Sequence, residues 1–327
     1  MARKEPAFKE EVYLEILPLF DKPKDFYQIK TFPKSRKLNF EKKHVDHIID
    51  LHYNKQVRMS YISYHFGVSI DTLNRVFKDN NLKPKKYWDE RYFYRKYKLN
   101  DKYFSVIDSD NKAYWLGFLY ADGAMIEYNF CVKLELKTFD TLAIDLFRRD
   151  LECDYPLFHR RSPYCNYHDS PNTPNMCGVK ITNKNMFNDL CRLGCVPRKS
   201  KILTFPTDDI VPREFKRSFL RGFTDGDGSI NYTTPNGKRA YRISWCGSVK
   251  MMEGIKEYLI SCGFDTKTKV ANVKGAEKWF TEFQIGGNKL AREVINYIYQ
   301  EDDERRLFRK IDIVDEMNEY LDNYNKL

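Results

Sequence analysis

Two nine-residue stretches of this 327-residue chain follow one pattern: Trp115-Leu-Gly-Phe-Leu-Tyr-Ala-Asp-Gly123 and Leu220-Arg-Gly-Phe-Thr-Asp-Gly-Asp-Gly228. In each, a Gly and an aromatic residue are followed by Asp-Gly, and the second stretch starts 105 residues after the first. Repetition at that spacing predicts two copies of one folding unit. Residues 113–121 are apolar or aromatic all round, so the first stretch reads as a helix buried on every side. A mid-helix Gly costs about 1 kcal/mol relative to Ala, so Gly117 and Gly222 mark places where another backbone comes too close for a Cβ. The neighbour that the repetition suggests is the other copy, with Phe118 and Phe223 beside the glycines at that interface.

The closing Gly of each stretch reads as a helix stop in the left-handed conformation. The Asp before it is out of place, because a carboxylate at a helix C-terminus faces the negative end of the macrodipole, unfavourable by roughly 0.3–1 kcal/mol. Packed side by side, the two helices would also put Asp122 next to Asp227, a conflict of like charges that a divalent cation resolves. An Asp-Gly turn closing a buried helix is the plain alternative. The same misplacement in both copies argues against it.

These residues resemble the LAGLIDADG homing endonucleases, whose name spells the same nine positions. The resemblance runs from about residue 105 to 300 and is closer in the second copy. It implies that the paired helices join two half-domains and that the final Asp of each motif, Asp122 and Asp227, holds a catalytic Mg²⁺, for which Mn²⁺ could substitute, with Ala121 and Gly226 at the same site. It also implies a monomeric, site-specific enzyme that makes a double-strand break in a long, non-palindromic DNA and so mobilises its own intron or gene. Family members place basic or polar residues near the last strand of each unit, and here those positions carry Lys180 and Gln284, with Lys137 and Lys199 as further candidates.

The rest of the chain fits an α+β protein in three parts: a helical segment 1–100, a first half-domain 101–200 and a second half-domain 201–327 with a C-terminal helix. After each buried helix the hydrophobic period changes from 3.6 to 2, as at Phe130, Val132, Leu134 and Leu136, and again at Tyr241, Ile243 and Trp245. Amphipathic helices follow, one with Phe139, Leu142, Ala143, Leu146 and Phe147 on its apolar stripe, and further strands are expected near 155–160, 178–182, 266–273 and 279–285. Both copies read αββαββα. An antiparallel sheet with one face free can enter a major groove, and Lys133, Glu135, Lys137, Arg239, Arg242 and Ser244 are the candidates for DNA contacts on the polar faces. A tail helix from Glu301 carries Leu307, Ile311, Val314 and Met317 and reads as packing on the domain.

Residues 41–82 read as a helix-turn-helix: Gly67-Val-Ser makes the turn, Ser69 caps, and Ile70–Lys78 is the recognition helix, with Asp71, Thr72, Asn74, Arg75 and Lys78 facing outward. A plain helical bundle is the alternative. Residues 1–100 hold 22 Lys+Arg against 13 Asp+Glu, nearly all of the net charge of +10, which suits a polyanion. Lys83, Lys85, Lys86, Arg91, Arg95, Lys96 and Lys98 of the following linker could track phosphates.

No apolar run approaches membrane-spanning length and the N-terminus lacks a signal-peptide pattern, so a soluble intracellular protein is expected, in a bacterial or phage-infected cytoplasm or an organelle with a low-GC genome. The eight Cys form no Cys-x-x-Cys pair, which argues against a disulfide framework. His159, Cys165, His168 and Cys177 are a weak zinc alternative. Two other functions compete with the endonuclease: a DNA-binding regulator on the same scaffold, and a maturase acting on its own intron RNA.

Overall fold

The computed structural model describes residues 10–24, 26, 40–84, 97–162, 175–300 and 303–324. The chain divides into two compact units, Met1–Lys98 and Leu99–Leu327. In the first unit, α1 (Glu10–Ile16), α2 (Lys42–Ile49), α3 (Met59–Phe66) and α4 (Ile70–Asp79) enclose a core that includes Ile16, Ile48, Leu51, Ile62, Leu73 and Phe77. Gly67 takes the left-handed conformation (φ +66°) that stops α3. Val68 then turns inward, and Ser69 starts α4 by accepting from the Thr72 amide at 3.1 Å. Thr72 is thereby a correction: it is 5% exposed, with its hydroxyl 2.8 Å from that of Ser69, so the capping contact turns it away from solvent. Asp71, Asn74, Arg75 and Lys78 are exposed along the helix.

The second unit contains two copies of one topology. The first runs α5 (Asp110–Asp122), β1 (Gly123–Ile126), β2 (Cys131–Lys137), α6 (Thr141–Asp150), β3 (Leu157–Arg160), β4 (Met176–Thr182) and α7 (Lys184–Arg192). The second runs α8 (Lys216–Asp227), β5 (Gly228–Thr233), β6 (Ala240–Ser248), α9 (Val249–Ser261), β7 (Ala271–Asn272), β8 (Phe280–Gly286) and α10 (Asn288–Ile298), and α11 (Phe308–Tyr324) follows. Each copy makes a four-stranded antiparallel sheet, in the orders β1-β2-β4-β3 and β5-β6-β8-β7. Leu134 and Val179 in one sheet and Trp245 and Phe283 in the other point to the helix side and are fully buried. Their alternates form the outer face.

α5 and α8 cross with their backbones nearly touching. A Cβ on Gly117 would lie 2.0 Å from the Phe219 carbonyl oxygen, and one on Gly222 would lie 2.0 Å from that of Tyr114. Around this contact, Tyr114, Trp115, Phe118, Phe219 and Phe223 are essentially inaccessible to solvent, which is why the helix has no polar face.

Several local expectations change. Gly123 (φ −71°, ψ 136°) and Gly228 (φ −76°, ψ 152°) are extended rather than left-handed, because each strand begins at the last motif residue. They are glycines for space: a Cβ would sit 2.5 Å from the Leu119 carbonyl oxygen in one copy and 2.6 Å from that of Thr224 in the other. Phe139 and Leu142 are 67% and 51% exposed, since a 3-10 turn at Thr138–Asp140 precedes α6 and rotates the apolar stripe. The strand expected over 266–273 shrinks to Ala271–Asn272.

Candidate active site at the paired motif helices

Where α5 and α8 end, the two motif aspartates meet. A Cβ on Gly226 would lie 2.2 Å from that of Ala121 and 3.2 Å from an Asp122 carboxylate oxygen, so the two helix ends are in van der Waals contact. Burial, and then the charge of Asp227, push the Asp122 carboxyl up to about 6. Burial raises that of Asp227 as well. The carboxylates are therefore crowded, but Asp227 stays open to solvent and borders a 350 Å³ cavity also lined by Ala121, Ser200 and Cys246.

Two lysines accompany them, one per copy. Lys199, 8% exposed, donates from Nζ to the Gly123 carbonyl and lies 3.5 Å from that of Ala121. Lys310, 3% exposed, donates to the Thr224 carbonyl and, at 2.6 Å, to that of Gly228. Each ammonium thus caps the negative end of one motif helix, and each lowers the titration of both aspartates. Burial pulls Lys310 down to about 8, opposed by the charges of Asp225, Asp122 and Asp227.

Lys180 and Gln284 occupy equivalent places in the two sheets, opposite Lys133 and Ser244 respectively. Both stand on the outer face in the row just beyond the motif glycines. Lys180 is exposed, its ammonium 4.5 Å from the centre of the Phe158 ring. Lys137 lies at the far end of β2, against Phe139.

Among the groove candidates, Glu135 is held between Lys133 at 2.8 Å and Arg160, which leaves it little freedom to accept from a base. Arg242 donates from Nε to Asn231, itself donating to Ser229 at 2.9 Å, so this guanidinium is preset on the outer face. Ser244 shares that face but is 7% exposed. Arg239 is a correction. It precedes β6 on the helix side, donating to Glu316 at 2.5 Å and to the Tyr241 hydroxyl at 3.0 Å, because its position alternates with that of Arg242.

Cys165 and His168 of the weak zinc alternative, and the linker residues Lys85, Lys86, Arg91, Arg95 and Lys96, lie outside the described residues. Cys177 is buried, its Sγ 3.0 Å from the Thr141 hydroxyl. Among the described residues no group of three or more His, Cys, Asp or Glu could hold a metal ion. A cation at the helix ends would therefore have two protein carboxylates and take its remaining ligands from water or substrate. Mg²⁺ accepts that donor set, since it binds hard oxygens and keeps several waters. The Ala121 carbonyl already faces Lys199.

Sequence reasoning passed over Lys310 and Asp225. A signal for Lys310 was present: it falls among Leu307, Ile311 and Val314 on the apolar stripe of the tail helix, where a lysine needs a buried partner.

Two glycine-packed motif helices, each opening an αββαββα unit, pack side by side and bring their C-terminal carboxylates together. The two units thus repeat one topology on either side of the helix pair. No family model matches the sequence, and no curated protein matches it. Among solved structures, the I-LtrWI LAGLIDADG homing endonuclease bound to target DNA aligns at 14% identity and a TM-score of 0.43, over 69% of this chain and 92% of that one. The LAGLIDADG meganuclease I-AabMI, bound to uncleaved DNA, aligns at 10% identity and a TM-score of 0.38, over 65% and 89%. The meganuclease I-SmaMI aligns at 10% identity and a TM-score of 0.38, over 58% and 83%. Among the described residues no helix is long and apolar enough to cross a membrane.

Proposed function

We propose that this chain is a LAGLIDADG homing endonuclease: a divalent-metal-dependent enzyme that cuts both strands of a long, non-palindromic DNA site and thereby mobilises its own intron or gene. The observation that carries the reading is the pairing of Asp122 and Asp227 at the contact of two helix ends, each with a buried lysine on the neighbouring carbonyls. A fold gains nothing from two adjacent carboxylates that burial and mutual repulsion both disfavour, whereas metal-assisted phosphodiester hydrolysis uses such a site to hold its cation.

Mg²⁺ held between Asp122 and Asp227 would neutralise charge on the phosphate and lower the pKa of an attacking water. The chain's own residues do the rest. Lys199 and Lys310 place positive charge beside the two carboxylates, where charge develops on the phosphate oxygens. Lys180 and Gln284 stand in the adjacent row of each sheet to orient water, and the outer faces, through Lys133, Lys137 and Arg242, contact phosphates and bases. Because the outer faces of the two copies differ, the half-sites they bind differ too.

The exposed face of α4, with Asp71, Asn74, Arg75 and Lys78, adds DNA contacts from the N-terminal unit. The test is to select bound duplexes from a randomised pool and incubate the recovered sites with protein and Mg²⁺, Mn²⁺ or EDTA. Metal-dependent double-strand cleavage is expected. Tight binding without cleavage in any divalent metal would replace this reading with the DNA-binding regulator, and preference for the chain's own intron RNA would replace it with the maturase.

A further inference from the structure

The sixth residue of each motif differs in kind, Tyr120 in the first and Asp225 in the second, and neither has a part in the chemistry above. Both are buried, at 2% and 0% exposure. The Tyr120 hydroxyl donates to the Leu193 carbonyl at 2.5 Å, within the stretch that leads from α7 to Lys199. That stretch is shaped around the hydroxyl: Gly194 has φ +92°, and a Cβ there would come within 2.1 Å of the Tyr120 oxygen. Next to it, the Cys195 thiol lies 3.6 Å from the Leu119 carbonyl.

In the second copy the roles of donor and acceptor are reversed. Asp225 accepts from the Tyr299 hydroxyl at 2.7 Å and from the Leu307 amide at 3.3 Å, and these two residues bracket the stretch that leads from α10 to Lys310. A third bond, from the Tyr114 hydroxyl of α5 at 2.9 Å, fixes the carboxylate at the helix contact. The stretch is also held by Arg221, which donates to Asp303 at 2.5 Å.

A buried tyrosine or aspartate needs partners in any core, and one such contact would be ordinary packing. Here equivalent positions of the two copies reach the same kind of segment, each the one that delivers a buried lysine, by opposite hydrogen-bond chemistry. We propose that Tyr120 and Asp225 are positioning residues, each tying its own half's lysine-bearing segment to the motif helix so that the Lys199 or Lys310 ammonium is held beside Asp122 and Asp227. The catalytic consequence rests on the endonuclease reading, but the seating of the lysines does not.

The test uses the full chain with Tyr120→Phe, Asp225→Asn and Tyr299→Phe, the last removing only a donor to Asp225. Amine acylation, mapped residue by residue by mass spectrometry, is followed in EDTA without DNA and well below the melting temperature. Tyr120→Phe should speed labelling of Lys199 by about fivefold, the factor set by losing one buried hydrogen bond, and leave Lys310 protected. Asp225→Asn and Tyr299→Phe should do the reverse. General loosening would expose both lysines together, and that outcome, or unchanged labelling, overturns the proposal. On a selected DNA site the single-turnover rate constant should fall in each variant while the dissociation constant and the reacting amplitude stay at the parent's values. A parent that never cuts DNA removes the endonuclease reading, while the lysine-specific labelling still decides the positioning claim. If Asp225→Asn does not fold, Tyr299→Phe decides it for that half.

Discussion

Asp122→Asn tests the metal site through stability, before any DNA is added. The Asp122 carboxyl is pushed up to about 6 by burial and by the charge of Asp227, whereas in the unfolded chain it titrates near the ordinary value of 3.8. An acid raised in the folded state carries a penalty that is absent below the unfolded pKa. The penalty grows as pH climbs from about 4 to about 6 and is complete above that. A shift of about two units corresponds to about 3 kcal/mol, and because the residue is only half-buried, solvent screening reduces this to about 1–2 kcal/mol.

Asn keeps the shape and removes the charge. In EDTA at about pH 7.5 the variant should be more stable than the parent by about 1–2 kcal/mol, a rise in melting temperature of about 2–6 °C for a unit of this size. At about pH 4 the difference should close. Calorimetry on both proteins at the two pH values measures it, and single-turnover cleavage in Mg²⁺ on the same samples should fall below detection. Asp122→Asn melting below the parent at both pH values, with cleavage intact, would refute the reasoning, because the carboxylate would then be a structural cap.

Gly117→Ala or Gly222→Ala places a Cβ 2.0 Å from a carbonyl oxygen of the partner helix and should destabilise the fold by about 3 kcal/mol or more. A loss below about 1 kcal/mol in denaturant melts would show that the helices separate easily. Lys199→Met and Lys310→Met should each lower the single-turnover cleavage rate by about a hundredfold while DNA affinity stays within a few-fold, and unimpaired cutting would reduce both lysines to helix caps. Deleting residues 1–98 should flatten the slope of log affinity against log salt by about 0.9 for each phosphate that the N-terminal unit neutralises in the full chain. An unchanged slope would mean that this unit does not touch the backbone of DNA.

The repeat made the fold legible because its constraints are local: a glycine inside an apolar helix, an Asp where the dipole opposes it, and a change of hydrophobic period afterwards. What the sequence hid depends on long-range placement. Arg239 and Arg242 look interchangeable in a polar strand, but alternation sends one to the helix side and the other to the outer face, and only the register of β6 against β5 and β8 settles which. Phe139 has the spacing of a core residue, yet the 3-10 turn before α6 rotates it out. Lys310 comes from beyond the repeat, 83 residues after the Asp227 it accompanies. Nothing in its neighbourhood says where its ammonium ends, although a lysine on an apolar stripe says that it must end on a partner.

The pair of positions that seat the lysines shows how far two copies can diverge without losing a shared geometry. Tyr120 meets a carbonyl and must donate, while Asp225 meets a hydroxyl and an amide and must accept. The motif's own sixth residue therefore cannot be exchanged between copies even though the backbones superpose in topology. Tyr120→Phe loses one hydrogen bond, worth about 1 kcal/mol. Tyr120→Asp, which copies the second half into the first, buries a carboxylate too short to reach the Leu193 carbonyl and leaves the space of the ring empty. An uncompensated buried charge costs about 3–5 kcal/mol, so the aspartate variant should melt well below the phenylalanine variant at about pH 7.5 and recover part of the gap at about pH 4, where the new carboxyl can protonate and lose its charge. Equal melting of the two variants at neutral pH would mean that the Tyr120 site is wet enough to solvate a charge, and that the hydroxyl contact to Leu193 is incidental to how Lys199 is held.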